Sequence, residues 1–456
     1  MIRQRAKEDS EYREYLAGHD LTNITRDTVR DFQFFKLKRA LNHVYQNSSF
    51  YRELYQSNGV TPDDIKSMGD MSKLPFVTPR DLWESPYRLL CVSLTEIDRM
   101  FTRVTSGTTG HPKRISFSRE DLDIITSGMA PVMETPLDTC GIEPKGCRVQ
   151  IFLANGTALS QVHLVAKGVE KMGGLPSPGD IFASTKDQID SILAARPTML
   201  MGSSSRIYRI TQEARQSLDL PSLGIKVLFI TSEYLSPSMR RNLADFWQAE
   251  VFHHYGMTET GLAGAVECGA REGYHINEAD FLFEVADPTT GQVLPEGSEG
   301  ELIFTSLSRK AMPLIRYRTG DITKLIGGPC KCGASTVRRM GTVAKRVESG
   351  QTTAGGIEIY PSLFDDVVYG FSDIVDHRIL LTREAGKEVL TCKIELMGVS
   401  SDIGDKLIDA LSGITSVAEG LRSGLLERPR VEVVKPGEIV REGRMKQRII
   451  DERSPS

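Results

Sequence analysis

The chain carries no excess of charge of one sign: 56 Lys and Arg face 60 Asp and Glu, a net charge of −4 over 456 residues. No basic stripe is available to meet a phosphate backbone, so no nucleic-acid partner is expected. Long apolar runs are missing too. No stretch approaches the ~20 apolar residues of a spanning helix, and no membrane partner is expected. The first residues, Met1 to Asp9, are charged and have no apolar core, so no secretory leader is legible. Seven cysteines, an odd number, do not make a disulfide framework, and the expected compartment is the cytoplasm. Internal repeats and low-complexity tracts are also absent. What remains is an ordinary globular composition, 40% apolar and 25% charged, in a chain longer than one core usually serves, so two or more domains are expected.

Periodicity points to an α/β fold. Phe34, Leu37, Leu41 and Val44 recur at three- and four-residue steps, the mark of an amphipathic helix. From Val149 onward, strand-like runs at 149–153, 198–201 and 227–230 alternate with helical spacing at 161–172, 185–195 and 236–248. Such alternation signals parallel βαβ units. Between Glu284 and Ile326 the pattern changes to strands with hairpin-like punctuation at 288–291 and 295–300. A smaller α+β domain is expected after Gly341, with helices at 361–368 and 402–411 and strands at 375–382, 388–395 and 431–434. The expected division is therefore 1–341 and 342–456.

Three short constellations carry chemistry. The first is Thr105-Ser106-Gly107-Thr108-Thr109-Gly110-His111-Pro112-Lys113. Its glycines let successive N–H groups converge on an anion, its hydroxyls add neutral donors, and Lys113 adds a compact charge. That set suits polyphosphate; the plainer reading is a solvated turn. It is not a GxxxxGK[ST] loop, because its lysine follows a proline. The second, Tyr255-Gly256-Met257-Thr258-Glu259-Thr260, follows a strand-like run. It joins an aromatic that can stack on a base, a hydroxyl for phosphate and a carboxylate for Mg²⁺. Its plainer reading is a helix N-cap. The third, Arg316-Tyr317-Arg318-Thr319-Gly320-Asp321, offers a carboxylate to a ribose diol and an arginine fork to phosphate, against the alternative of a weak surface ion pair. Apart from these, Cys268, His275, Cys330 and Cys332 supply three thiolates and an imidazole, a donor set for tetrahedral structural zinc. The plainer reading, inert buried thiols, is given to Cys91, Cys140, Cys147 and Cys392. His253 and His254 have no evident proton-transfer partner, and one of them is expected to line an acyl pocket.

In this order and spacing the three constellations resemble the adenylate-forming superfamily and, within it, the phenylacetate–CoA ligase family. The likeness runs from near residue 30 to near residue 340. It includes the lead-in Val44-Tyr45-Gln46-Asn47-Ser48-Ser49-Phe50-Tyr51 and the run Ala311-Met312-Pro313-Leu314-Ile315. It implies a large N-terminal adenylate-forming domain with parallel βαβ units and a β-rich subdomain, plus a small mobile α+β C-terminal lid. It also implies an ATP-dependent, AMP-forming acid–CoA ligase. A carboxylate attacks the α-phosphorus of ATP to give acyl-AMP and pyrophosphate; the CoA thiol then takes the acyl group. Ser106, Gly107, Thr108, Thr109, Gly110 and Lys113 would cradle the β,γ-phosphates. Tyr255 would stack on adenine beside Gly256 and Met257, with Ser232 and Glu233 lining the base. Thr258 would touch the α-phosphate, Glu259 hold Mg²⁺, Asp321 take the ribose and Arg318 join the nucleotide contacts. Gly356 would lie in the loop near the pantetheine arm. Some members carry a comparable Cys/His set, which favours zinc. The partners implied are CoA and a small carboxylic acid, an aromatic one; a homodimer is left open.

The chain departs from that family in three places. The hinge pattern Gly-Arg-x-Asp-Asp is replaced by Gly341-Thr342-Val343-Ala344-Lys345-Arg346. The adenylation lysine usually follows a glycine near the end of the chain; here Arg444 takes that register, and Lys446, two residues on, shares its strand face. Both are candidates for the catalytic cation, Lys446 ahead of Arg444. The aromatic-rich stretch that lines the pocket in phenylacetate ligases is replaced by Ala154-Asn155-Gly156-Thr157-Ala158-Leu159-Ser160, which puts phenylacetate itself in doubt. Two alternatives therefore stand beside the ligase: an adenylating enzyme that loads a carrier-protein thiol, and a non-catalytic binder of nucleotide or acyl-adenylate.

Overall fold

The computed structural model describes residues 24–104, 112–153, 160–347, 351–352, 357–398, 402–439 and 448–453. Helix α1 (Arg26–Asn47) starts at Thr25, whose hydroxyl accepts from Thr28 N. It buries Val29, Phe32, Leu37, Leu41 and Val44 on one face. Phe34, expected on that face, is half-buried at its edge, and Phe32 fills the core instead. A hairpin of β1 (Ile97–Val104) and β2 (Pro112–Ser118) follows and leads into helix α2 (Arg119–Thr139). No helix was read from the sequence here because Pro131 and Pro136 lie inside it. A capping box of Ser118 and Asp121 starts it, and the Asp121 carboxylate also accepts from Lys310 N at 2.7 Å and Ala311 N at 3.0 Å.

The large sheet has two halves. Strands β3 (Arg148–Phe152), β4 (Leu175–Pro178), β5 (Met199–Ser203), β6 (Val227–Thr231) and β7 (Glu250–Tyr255) run parallel, in the order β4-β3-β5-β6-β7. Their connections carry α3 (Gln161–Lys171), α4 (Thr185–Ala195), α5 (Ser204–Ala214) and α6 (Pro237–Trp247). Strands β5 and β6 are buried throughout, as central parallel strands must be, and that is why they read as unbroken apolar runs. The expected helix at 161–172 and those at 185–195 and 236–248 are present; α5 was not foreseen. Beyond β7 the pairing becomes antiparallel through β8 (Ala265–Glu267), β9 (Tyr274–Ile276) and β13 (Arg339–Met340) to β12 (Tyr317–Ile326), β11 (Glu299–Ser306) and β10 (Phe281–Ala286). A two-residue strand, β14 (Lys345–Arg346), also joins β12, opposite Asp321 and Ile322.

The C-terminal part has its own core. A short pair, β15 (Gln351–Thr352) with β16 (Glu358–Ile359), precedes a four-stranded sheet of β17 (Ile374–Glu384), β18 (Lys387–Leu396), β19 (Arg430–Val434) and β20 (Ile449–Asp451). Helices α7 (Pro361–Val368), α8 (Ile403–Ser412) and α9 (Thr415–Arg422) cover it. Phe364, Leu381, Leu390, Ile394 and Leu407 pack together with at most 2% exposure. The expected elements of this region all appear within a few residues of their limits; β15, β16, α9 and β20 are additional.

Candidate active site and Cys/His cluster

The sheet changes from parallel to antiparallel at β7, and the carboxyl ends of β5, β6 and β7 open on the same side. Crevices at such ends are where open α/β sheets take ligands. There β6 ends in Thr231-Ser232-Glu233 and β7 in Tyr255. The chain then turns back on itself instead of starting a helix, so the N-cap reading of Thr258 and Glu259 does not hold. Gly261 N donates to Thr258 O at 3.0 Å, and Met257 N donates to the Thr260 hydroxyl at 3.1 Å. Only glycine fits at 256, because a Cβ there would stand 2.1 Å from Leu262 O.

Two ion pairs meet below this turn. Lys113 Nζ, from β2, lies 3.1 Å from Glu259 Oε1 and donates to the Tyr317 hydroxyl at 3.1 Å. The Tyr317 hydroxyl in turn donates to the same Glu259 oxygen at 3.3 Å. Burial pushes the Glu259 carboxyl up, but the Lys113 charge and hydrogen bond outweigh it and hold the group below its usual range. Glu259 is therefore an anion at neutral pH, and a buried one. The second pair joins Arg346 Nε to Asp321 Oδ1 at 2.7 Å. Tyr255 donates its hydroxyl to Asp321 Oδ2 at 2.7 Å, and Arg346 Nη2 donates to Thr319 O at 2.8 Å. Burial first, and then the Asp321 charge, raise the Tyr255 phenol well above its usual value, so it stays a donor. Arg346 was not singled out from the sequence. It lies in the stretch read as an altered hinge, and β14 is too short to leave a periodic signal.

The structure thus brings Lys113, Tyr255, Glu259 and Asp321 together, with Gly256, Met257 and Thr258 on the turn between them. Arg318 points elsewhere. Along β12 alternate residues share a face, so Tyr317, Thr319 and Asp321 are buried on one side and Arg318 turns to the other. Its Nε lies 2.8 Å from Glu301 Oε2, and its Nη2 donates to Pro288 O at 2.6 Å. Ser232 takes a left-handed φ of 71°. Glu233 turns its carboxylate to the start of α5, accepting from Ser205 N at 3.0 Å and the Ser204 hydroxyl at 3.2 Å. Ser106, Gly107, Thr108, Thr109, Gly110, Gly356, Arg444 and Lys446 lie outside the described residues.

The two histidines ahead of the turn are buried props. His253 Nε2 lies 2.8 Å from Glu233 O and its Nδ1 lies 2.7 Å from the Tyr274 hydroxyl, so it donates to the carbonyl and accepts from the phenol. Burial lowers His253 to about 3 and His254 to about 4, which leaves both neutral at pH 7.

The Cys/His set converges as expected from its chemistry. Cys268 follows β8, His275 lies in β9, and Cys330 and Cys332 lie in the loop between β12 and β13. Their ligand atoms all fall within 4.8 Å of one another, with Cys268 Sγ 3.6 Å from Cys330 Sγ and Cys332 Sγ 3.5 Å from His275 Nε2. A tetrahedral ion with bonds of ~2.3 Å to sulfur would set its donors ~3.7 Å apart, so the spacing fits zinc.

Two buried ion pairs beside an aromatic turn at the carboxyl ends of parallel strands, with an α+β unit following in the chain, are the parts an adenylate-forming enzyme needs. Residues 91–308 match the family model described as AMP-binding enzyme, and 356–453 match that of the AMP-binding enzyme C-terminal domain. The phenylacetate-coenzyme A ligase of Aromatoleum evansii is 30% identical over 386 residues, covering 82% of this chain and 83% of the relative. That of Thermus thermophilus is 29% identical over 448 residues, covering 95% and 98%. A crystal structure of 2-hydroxyisobutyryl-CoA ligase in the postadenylation state superposes with a TM-score of 0.79 at 23% identity, over 92% of this chain and 88% of that one. The same ligase in the thioesterification state gives 0.63 at 23% identity, over 93% and 90%. The chain belongs to the phenylacetate–CoA ligase family: it is an ATP-dependent, AMP-forming acid–CoA ligase.

Proposed function

We propose that this ligase activates an aromatic carboxylic acid, with the nucleotide bound over the turn that follows β7. The observation that carries the assignment of the cleft is the meeting of Lys113–Glu259 and Arg346–Asp321 beneath Tyr255. The acid is assigned by class alone, from the phenylacetate ligases among the relatives. Ser106 to Gly110 receive the β,γ-phosphates together with Lys113, which exchanges Glu259 for phosphate oxygen. Thr258 meets the α-phosphate. Glu259 is an anionic hard oxygen donor and fits Mg²⁺, which when bound neutralises phosphate charge. Asp321 takes the ribose diol, and Tyr255, its hydroxyl fixed by Asp321, offers its ring to adenine beside Ser232, Glu233, Gly256 and Met257. Arg318 braces β12 through Glu301 and does not touch the nucleotide. Gly356 is assigned to the pantetheine arm of CoA on the family resemblance of its loop.

Residues 1–341 and 342–456 act as body and lid, and the lid turns between the two half-reactions. Cys268, His275, Cys330 and Cys332 hold a structural zinc that ties the β8–β9 and β12–β13 loops together. Three thiolates held for a metal call for reduced cysteines, and we assign the protein to the cytoplasm on that ground.

Pyrophosphate release over a panel of aromatic and aliphatic carboxylic acids, with and without CoA, tests this reading. An aromatic acid should give the fastest release, with thioester and AMP once CoA is added. Release without any CoA thioester would point to a carrier-protein thiol. Silence with every acid would overturn the catalytic reading. The terminal cation is tested in the same assay: Lys446→Ala should slow acyl-AMP formation more than about tenfold, roughly 1.4 kcal/mol of barrier, and more than Arg444→Ala does. It should spare thioester formation from supplied acyl-AMP, because the turned lid presents another face.

A further inference from the structure

The seam between the body and the C-terminal part is held mainly by polar contacts. Arg209 projects from α5, and its Nη2 lies 2.7 Å from Glu395 Oε2 and 3.3 Å from Asp376 Oδ2. Those carboxylates stand on β18 and β17 and are 0% and 1% exposed. The other oxygen of Glu395 accepts from Ile439 N at 2.7 Å, a bond within the C-terminal part. Further along the seam Arg215 lies 2.7 Å from Asp373, and Gln212 donates to Ser372 O at 2.7 Å. From α6, Asn242 donates to Tyr369 O at 2.8 Å, and Ser238 N donates to Asp366 at 2.7 Å. Tyr208 meets Tyr369 edge-on, with ring centroids 4.9 Å apart. Beside the ion pairs runs an open cavity of about 530 Å³, bordered by Arg215, Phe246, Asp373 and Met397. A seam of ion pairs with open space beside it is built to part, unlike the apolar cores on either side.

Glu395 forms its ion pair with Arg209, and a buried charge stripped of its partner is strongly disfavoured. Glu395 therefore depends on that guanidinium more than Asp376, which also faces the Arg448 charge. When the lid turns, Glu395 must trade Arg209 for water. Arg209 therefore weights the lid toward the placement seen here, the one with the higher overall superposition on a postadenylation state than on a thioesterification state. We propose that Arg209 is a positioning residue for the adenylation half-reaction: its grip on Glu395 and Asp376 holds the lid in place for acyl-AMP formation and is released before the thiol attacks. The proposal rests on the two-step ligase reading.

The test uses the full chain as wild type, Arg209→Met, Arg209→Lys, Glu395→Gln and the double variant Arg209→Met with Glu395→Gln. Each is assayed for pyrophosphate release with the fastest acid of the panel, for thioester formation from the matching acyl-AMP plus CoA, and by small-angle X-ray scattering without ligand. Arg209→Met should slow pyrophosphate release about tenfold, leave thioester formation within twofold of wild type or raise it, and increase the radius of gyration. Arg209→Lys should recover most of the first loss. Glu395→Gln should act in the same direction, and the double variant should be no worse than Arg209→Met, because one contact is broken twice. Equal loss in both half-reactions with unchanged scattering would overturn the proposal, as would additive losses in the double variant or no change in any. If Arg209→Met does not fold, Glu395→Gln and Arg209→Lys carry the same comparison. Failure of the ligase reading is told apart, because wild type would then release no pyrophosphate while scattering still reports the latch.

Discussion

The site below Tyr255 joins the end of parallel β7 to β2, β12 and β14, whereas the Cys/His cluster lies wholly in the antiparallel half of the sheet, and the two balance charge in opposite ways. In the first site two buried anions each have a cation: Glu259 faces Lys113, and Asp321 faces Arg346. In the cluster three sulfurs and an imidazole face one another, and the zinc proposed there would complete their balance. A site that takes and releases a charged ligand has to be tolerable without it, and internal ion pairs provide that. A site meant to keep one ion permanently has no such need. Removing one group should therefore cost catalysis in the first case and folding in the second.

The strongest test of that contrast is Glu259→Gln, which keeps the shape and deletes the charge. Pyrophosphate release should fall at least about a hundredfold, the scale seen when one preorganised electrostatic group is lost. Because Glu259 is buried against Lys113, the variant should also melt earlier. Breaking a buried pair from one side costs about 3–5 kcal/mol. Pyrophosphate release at the wild-type rate would remove Glu259 from the site. Arg346→Lys should come next. Lysine keeps the charge but lacks the fork that reaches both Asp321 and Thr319 O. KM for ATP should rise about tenfold, with kcat within twofold, and an unchanged KM would place Arg346 outside the nucleotide contacts.

The cluster should answer in the other currency. Cys332→Ser, at the exposed corner of the set, should lower the zinc content and the melting temperature together, by roughly 5–10 °C, because a structural ion contributes folding free energy. KM for ATP in the cold should stay within twofold of wild type. Stoichiometric metal analysis after chelator-free purification checks the first half; absence of zinc from the wild type would remove the site.

What was legible in the sequence followed period and chemistry. The buried runs of β5 and β6 and the helices between parallel strands announced the α/β sheet, and the donor types of Cys268, His275, Cys330 and Cys332 announced their own convergence. Helix α2 was hidden by its prolines, which reside in it without ending it. Arg346 was hidden because its partner, Asp321, is reached through a two-residue strand that no periodicity can report. Glu233 was read for its place beside the base, whereas its carboxylate caps α5, a helix the sequence had not revealed.

Arg318 gives the smallest expected effect and the sharpest check on how far strand alternation decides function. The family resemblance puts its guanidinium among the nucleotide contacts, only three residues from Asp321. The pleat puts Arg318 and Asp321 on opposite faces of β12, and Glu301 and Pro288 O take the guanidinium. Its side chain is 27% exposed, so solvent screens part of the pair, and lysine retains the charge that buried Glu301 needs. Arg318→Lys should therefore cost about 1 kcal/mol of stability or less and move KM for ATP by less than twofold, well short of Arg346→Lys. A tenfold rise in KM for Arg318→Lys would mean that β12 presents its other face to the nucleotide, and the assignment of Asp321 to the ribose would fall with it.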